Sequence, residues 1–137
     1  MTNLKPERAR VAARWVLAAV YIAAGMLHLA FPGTFVGIVP AWVPQPDLVV
    51  ALTGVAQIVG AVGLLIPRLR RAAGVGLAIY AVCVWPANFE HARQALVGGG
   101  PSLSLWYHVP RLAFQPVVVW WALWAGAVID WPFGKRA

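Results

Sequence analysis

His28, Gln57, Asn88, Glu90, His91, His108, Arg111 and Gln115 interrupt otherwise apolar stretches of this chain. Amide and ionisable side chains are costly inside a bilayer and usually face neighbouring helices or a cavity. Asn88 and His91 have the i, i+3 spacing of one helix face, and Arg111 and Gln115 the i, i+4 spacing. Several chemistries suit these residue types. His28, His91 and His108, with Glu90, form a plausible ligand set for zinc, copper or iron, although no local HxxxH spacing joins them. A quinone or lipid-headgroup site would use His28, Gln57, Asn88, His108, Arg111 and Gln115 as hydrogen-bond partners. Trp120 and Trp124, one turn apart, would then hold the ring or tail. Glu90 beside His91 would make an acid–base pair working near neutral pH, the candidate catalytic couple. The plainest alternative is a set of interfacial residues that satisfy one another and snorkel.

These side chains need elements to position them, and composition says which. The chain has 137 residues, of which 61% are hydrophobic and only 11% charged. Its mean hydropathy is +0.74. An average soluble domain is roughly 45–50% apolar and about 25% charged. So large an apolar excess cannot be hidden inside one small globule. A soluble domain, a disordered chain, a coiled coil and a disulfide scaffold are all excluded. The lone Cys83 can form neither an intrachain disulfide nor a CxxC pair.

A bilayer core about 30 Å thick needs about 20 apolar helical residues. Segments 11–31, 48–66, 72–89 and 112–129 meet that need as one transmembrane domain. They are continuous apolar runs, not the alternating strands of a barrel, so the expected fold is all-α, an integral membrane four-helix bundle. Pro32, Pro67 and the glycine run before Pro101 punctuate it. Pro110 suits a first helical turn, whereas Pro86 and Pro116 should kink their spans. The first span is longer than a signal-peptide core and is read as retained.

Charge sets the expected direction. Lys5, Arg8, Arg10 and Arg14 precede the first span, Arg68, Arg70 and Arg71 fill the turn between the second and third, and Lys135 and Arg136 follow the fourth. Of the 11 Lys and Arg residues, only Arg93 and Arg111 fall on the other side. The positive-inside rule therefore puts both termini in the cytoplasm, at a plasma membrane of bacterial type. The same placement explains the basic pI of about 10.9 without nucleic acid. The polar cluster then faces outward as a cavity with walls from spans one, three and four and Gln57 as its floor.

Spans associate through small residues and hydrogen bonds. Thr53, Ala56, Gly60 and Gly63 form one stripe, with Gly74, Gly76 and Ala78 in span three and Ala18, Ala19, Ala23, Ala24 and Gly25 in span one. One stripe could also serve a homo-oligomer. Trp15 and Trp131 should mark the inner border, and Trp42, Trp85 and Trp106 the outer. The mid-span hydroxyls of Tyr21 and Tyr80 need partners, and Gln57 is a candidate. Cys83, flanked by apolar residues, reads as packing.

Five sequence cues together resemble the DoxX-like family of small four-span membrane proteins. They are His28 and Pro32 as H-x-x-x-P, the V-P-x-W-x-P loop from Val39 to Pro44, the G-x-A-x-x-x-G of Gly54, Ala56 and Gly60, the turn from Leu65 to Ala73, and the W-P-A-N stretch from Trp85 to Asn88. The likeness covers residues 11–95. It implies membrane redox work: relatives include a subunit of a thiosulfate:quinone oxidoreductase and partners in bacterial oxidative-stress complexes. His28, Gln57 and Asn88 are the family features that carry over. Two expectations follow. One is a quinone- or isoprenoid-binding redox subunit. The other is a non-enzymatic accessory protein that holds a partner complex at the membrane.

Overall fold

A computed structural model describes residues 4–98 and 105–133. Their regular structure is entirely helical: α1 Leu4–Ala30, α2 Pro32–Val36, α3 Pro46–Leu65, α4 Arg70–Cys83, α5 Trp85–Val97 and α6 Leu105–Ala125. Three runs are long and apolar enough to cross a membrane: Glu7–Ala30, Pro46–Leu65 and Arg70–Val97. The glycines at 99 and 100, Pro101, Lys135 and Arg136 lie outside the described residues.

Prolines decide where helices start. Pro32 opens α2 and Pro46 opens α3, positions where the missing N–H costs nothing. The third run is not one rod. α4 stops at Cys83, Val84 sits at φ −86° and ψ −6°, and α5 restarts at Trp85. Pro86 is the cause. Its ring would clash with the Val82 carbonyl and it donates no N–H, but it fits the first turn of a new helix. α6 begins earlier than expected, so Pro110 lies inside it, along with Pro116.

α6 also ends earlier than the expected boundary at 129. The Ala127 N–H donates to the Trp124 carbonyl at 3.1 Å and the Val128 N–H to that of Leu123 at 2.9 Å. With Ala127 at φ 56°, this is a Schellman turn, the common left-handed stop of a helix. Its left-handed position carries alanine, and the glycine stands one residue earlier, at Gly126.

α1 packs on α3, α3 on α4, α4 on α6, and α6 back on α1. The core is small-residued: Leu17, Ala18 and Tyr21 meet Ala61, Leu64, Leu77, Ala78, Ala122 and Ala125. Two crossings are closer than any Cβ would allow. A methyl on Gly25 would lie 2.6 Å from the Gly54 carbonyl oxygen, and one on Gly126 would lie 2.7 Å from Gly74 Cα. The expected stripe is therefore shifted. Gly54 is buried in the α1 crossing, whereas Ala56, Ala19, Ala23 and Gly76 face outward. Opposite the core, Leu48, Leu52, Val55, Val59 and Val62 of α3 and Val75, Ile79 and Val82 of α4 are exposed. That three-and-four spacing of bare aliphatic side chains suits contact with lipid. Trp15, Trp42, Trp106 and Trp131 are exposed, whereas Trp85 is half-buried against Phe89.

Arginines close the end where α1 begins. Arg14 is 5% exposed, and its Nε donates to the Ala125 carbonyl at 2.8 Å. Arg70 Nε donates to the Leu64 carbonyl at 3.2 Å, and Arg10 pairs with Asp130 at 2.6 Å. Helix C-terminal carbonyls lack intrahelical partners and carry partial negative charge, so a guanidinium is a suitable cap.

Candidate functional site

The far half of the molecule is not closed. A cavity of about 520 Å³ lies between α1, α3, the α4–α5 junction and α6, roofed by the segment from Phe35 to Val43. Its walls are chiefly aliphatic and aromatic. Into them project His28, Gln57, Asn88, Arg111 and Gln115, five side chains expected at such a site. Tyr21, Tyr80, Thr53, Cys83 and Trp121 complete the polar and polarisable lining.

Each polar group is held by its own helix geometry. His28 sits in the last turns of α1, where Nδ1 donates to the Ala24 carbonyl at 2.8 Å. A carbonyl only accepts, so Nε2 is the ring's acceptor. The ring stacks on Phe35 with centroids 3.7 Å apart, joining the roof to α1. Thr53 turns its hydroxyl back to the Val50 carbonyl at 2.8 Å. Gln115 bridges two elements: Nε2 donates to the Ala81 carbonyl at 2.6 Å, and Oε1 accepts from Asn88 Nδ2 at 3.3 Å. Ala81 is in the last turn of α4, where the break at Val84 leaves carbonyls without helical partners. Gln57 Nε2 donates to the Tyr80 hydroxyl, linking α3 to α4. Tyr21 meets the Tyr80 ring edge-on at 5.9 Å instead of hydrogen-bonding Gln57.

Arg111 is the cation of the cavity. Its Nη1 donates to His91 Nδ1 at 2.8 Å and its guanidinium lies 5.8 Å from the Tyr107 ring centroid. A guanidinium has no lone pair to offer, so His91 Nδ1 is the acceptor and its ring proton is on Nε2. Behind this pair stands His108, 1% exposed, its ring edge-on to His91 at 4.8 Å. Both ring nitrogens of His108 are buried without a hydrogen-bond partner.

Several expectations are corrected by this geometry. His91 and His108 do not line the cavity; they back Arg111. His28 is against Phe35, away from them, and among the described residues no group of three or more His, Cys, Asp or Glu side chains gathers to hold a metal. Glu90 pairs neither with a histidine nor with Arg111. It accepts from Arg93 at 2.7 and 2.8 Å and from Gln94 at 3.0 Å, and it lines an open surface depression with Trp42, Pro86 and Arg93. Gln94 also donates to the Gly37 carbonyl at 2.9 Å, tying the roof to α5. Trp120 and Trp124 stack on each other at 5.6 Å near the closed end, where Arg10 lies 5.4 Å from the Trp124 centroid. Neither reaches the cavity. Trp121 does, with its Nε1 donating to the Ala13 carbonyl at 3.1 Å. The signal for Trp121 was present: Arg111, Gln115, Val118 and Trp121 continue one helical face, which Trp120 and Trp124 leave.

No curated protein and no solved structure matches this chain. A family model, described as a domain of unknown function, DUF8561, matches residues 17–126, which span α1 from Leu17 through the end of α6 and hold every cavity residue named above. The chain belongs to the DUF8561 family.

Proposed function

We propose that this protein is a four-span membrane subunit that binds a quinone, isoprenoid or lipid headgroup between its helices and serves membrane redox chemistry. In this reading α6 is the fourth span, making a four-helix bundle with both termini cytoplasmic and the cavity opening outward, in the plasma membrane of a bacterium. The grouping of Arg8, Arg10, Arg14 and the basic turn at Arg68, Arg70 and Arg71 at one end supports that orientation. The DoxX-like cues at His28, Gly54 and Asn88 support the redox role.

One observation carries the reading. A largely apolar cavity of about 520 Å³ gathers His28, Gln57, Asn88, Arg111 and Gln115 from separate helices. Ligand sites are typically apolar clefts of roughly 300–1,000 Å³ with a few placed polar groups. The space accommodates a substituted ring with a short prenyl tail. His28 and Arg111 are suited to orient its oxygens, and Trp121 and Phe114 to flank its apolar body.

The test is direct. Purified protein in nanodiscs is titrated with a short-tailed ubiquinone and with a menaquinone analogue, following tryptophan fluorescence and melting temperature. Saturable quenching with a raised melting temperature, weakened in Arg111→Ala and Asn88→Ala, is the expected result. If no lipid or quinone co-purifies and none of these ligands moves the melting temperature, the reading fails. Co-purification of a partner complex with cavity variants fully functional would favour the accessory role.

A further inference from the structure

We propose that the inner end of this cavity selects a hydroxyl group, so that its preferred occupant is an amphipathic alcohol, a quinol or a prenol, over a ligand that buries a carbonyl. The inference rests on the lipid-binding reading of the cavity and narrows it.

Gln57 is 4% exposed on α3 and lines the cavity. Its amide nitrogen donates to the Tyr80 oxygen, and its own oxygen, Oε1, is buried with no partner. The Tyr80 hydroxyl proton must then point elsewhere. The pair therefore offers one unused acceptor, Oε1, beside two unused donors, the second amide N–H and the Tyr80 hydroxyl proton. Exchanging the amide oxygen and nitrogen does not alter this. Tyr80 would then donate to Oε1, leaving both amide N–H groups as donors and the phenol oxygen as acceptor. Either way a partner must both give and take a hydrogen bond.

No nearby side chain does so. Thr53 is committed to the Val50 carbonyl, and Gln115 to Ala81 and Asn88. Tyr21 meets Tyr80 through a T-shaped ring contact. A hydroxyl is the small group that donates and accepts at once. A quinone carbonyl, a carboxylate or a phosphate only accepts, and an ammonium only donates. Each would leave one buried polar atom of the pair unpaired, a cost of about 1–3 kcal/mol, or roughly fivefold to 150-fold in affinity.

Two matched pairs test this on the full chain in nanodiscs. A one-isoprene ubiquinol, kept anaerobic, is compared with its quinone, and farnesol with farnesyl methyl ether, by calorimetric titration. The expected result is at least about fivefold tighter binding of the hydroxyl member in one pair or both. Preference in the first pair alone identifies a ring, and in the second alone a chain. Removing both polar groups together, Gln57→Leu with Tyr80→Phe, should bring the ratio close to one, whereas either single change leaves a group that still donates and accepts and should only lower it. Equal affinities within both pairs in the unmodified protein, as a trapped water at Gln57 would produce, overturn the hydroxyl inference and leave the lipid site standing. A preference that survives the double variant overturns its assignment to this end. No binding of any of the four removes the lipid site itself.

Discussion

Replacing Gly25 with alanine places a methyl carbon 2.6 Å from the Gly54 carbonyl oxygen, 2.7 Å from Ile58 Cγ1 and 3.2 Å from Gln57 Cβ. An ordinary carbon–oxygen approach is about 3.3 Å, so α1 and α3 must separate by roughly 0.7 Å at this crossing. The obstacle is backbone, which cannot rotate away. Overpacking of this kind costs about 1–3 kcal/mol. Gly76 is the internal control, because a methyl there meets nothing within 4 Å. In the interior of α4, Gly76→Ala should instead stabilise by about 0.5–1 kcal/mol through helix propensity. Reversible unfolding in mixed micelles by dodecyl sulfate titration, followed by far-ultraviolet circular dichroism, measures both. Gly25→Ala within about 0.5 kcal/mol of the unmodified protein, or no less stable than Gly76→Ala, would refute the close crossing.

Gln115→Leu removes the donor to the Ala81 carbonyl and the acceptor for Asn88, and should cost about 2–4 kcal/mol in the same titration. Ala127→Gly relieves a left-handed alanine and should add about 0.5–1 kcal/mol; a loss of stability would contradict the Schellman turn. Glu90→Gln should leave stability and quinone affinity close to those of the unmodified protein, since its partners are Arg93 and Gln94 at the protein surface, outside the cavity. A lost turnover in Glu90→Gln would restore it as a reacting group.

Polar residues in apolar surroundings were the readable part of the site. His28, Gln57, Asn88, Arg111 and Gln115 are costly in lipid, so their positions alone argued for convergence, and one cavity takes all five. Helix type and the break at Pro86 were readable for equally direct reasons of hydropathy and sterics. Side-chain pairing was less so. Glu90 and Arg111 carry opposite charges at neighbouring helix ends, yet a residue three positions away on the same helix competes better for Glu90. Trp120 and Trp124 were conspicuous by type, but a rotation of one residue decides which tryptophan meets the cavity. The stop of α6 at Ala125 was hidden because Gly126, a breaker by type, sits inside a continuing apolar run; its contact with Gly74 and the Arg14 cap on Ala125 are what make the helix end there. Arg14 reads as a topology charge, and only the fold reveals it as a buried cap.

The interruption at Val84 couples two helices that are distant in sequence. A continuous rod would have consumed its own carbonyls. Split at this point, it borrows a hydrogen bond from Gln115, and the same amide steadies Asn88 on the restarted segment. One side chain of α6 thus ties together the end of α4 and the start of α5, and these two cavity walls share a single anchor at Gln115.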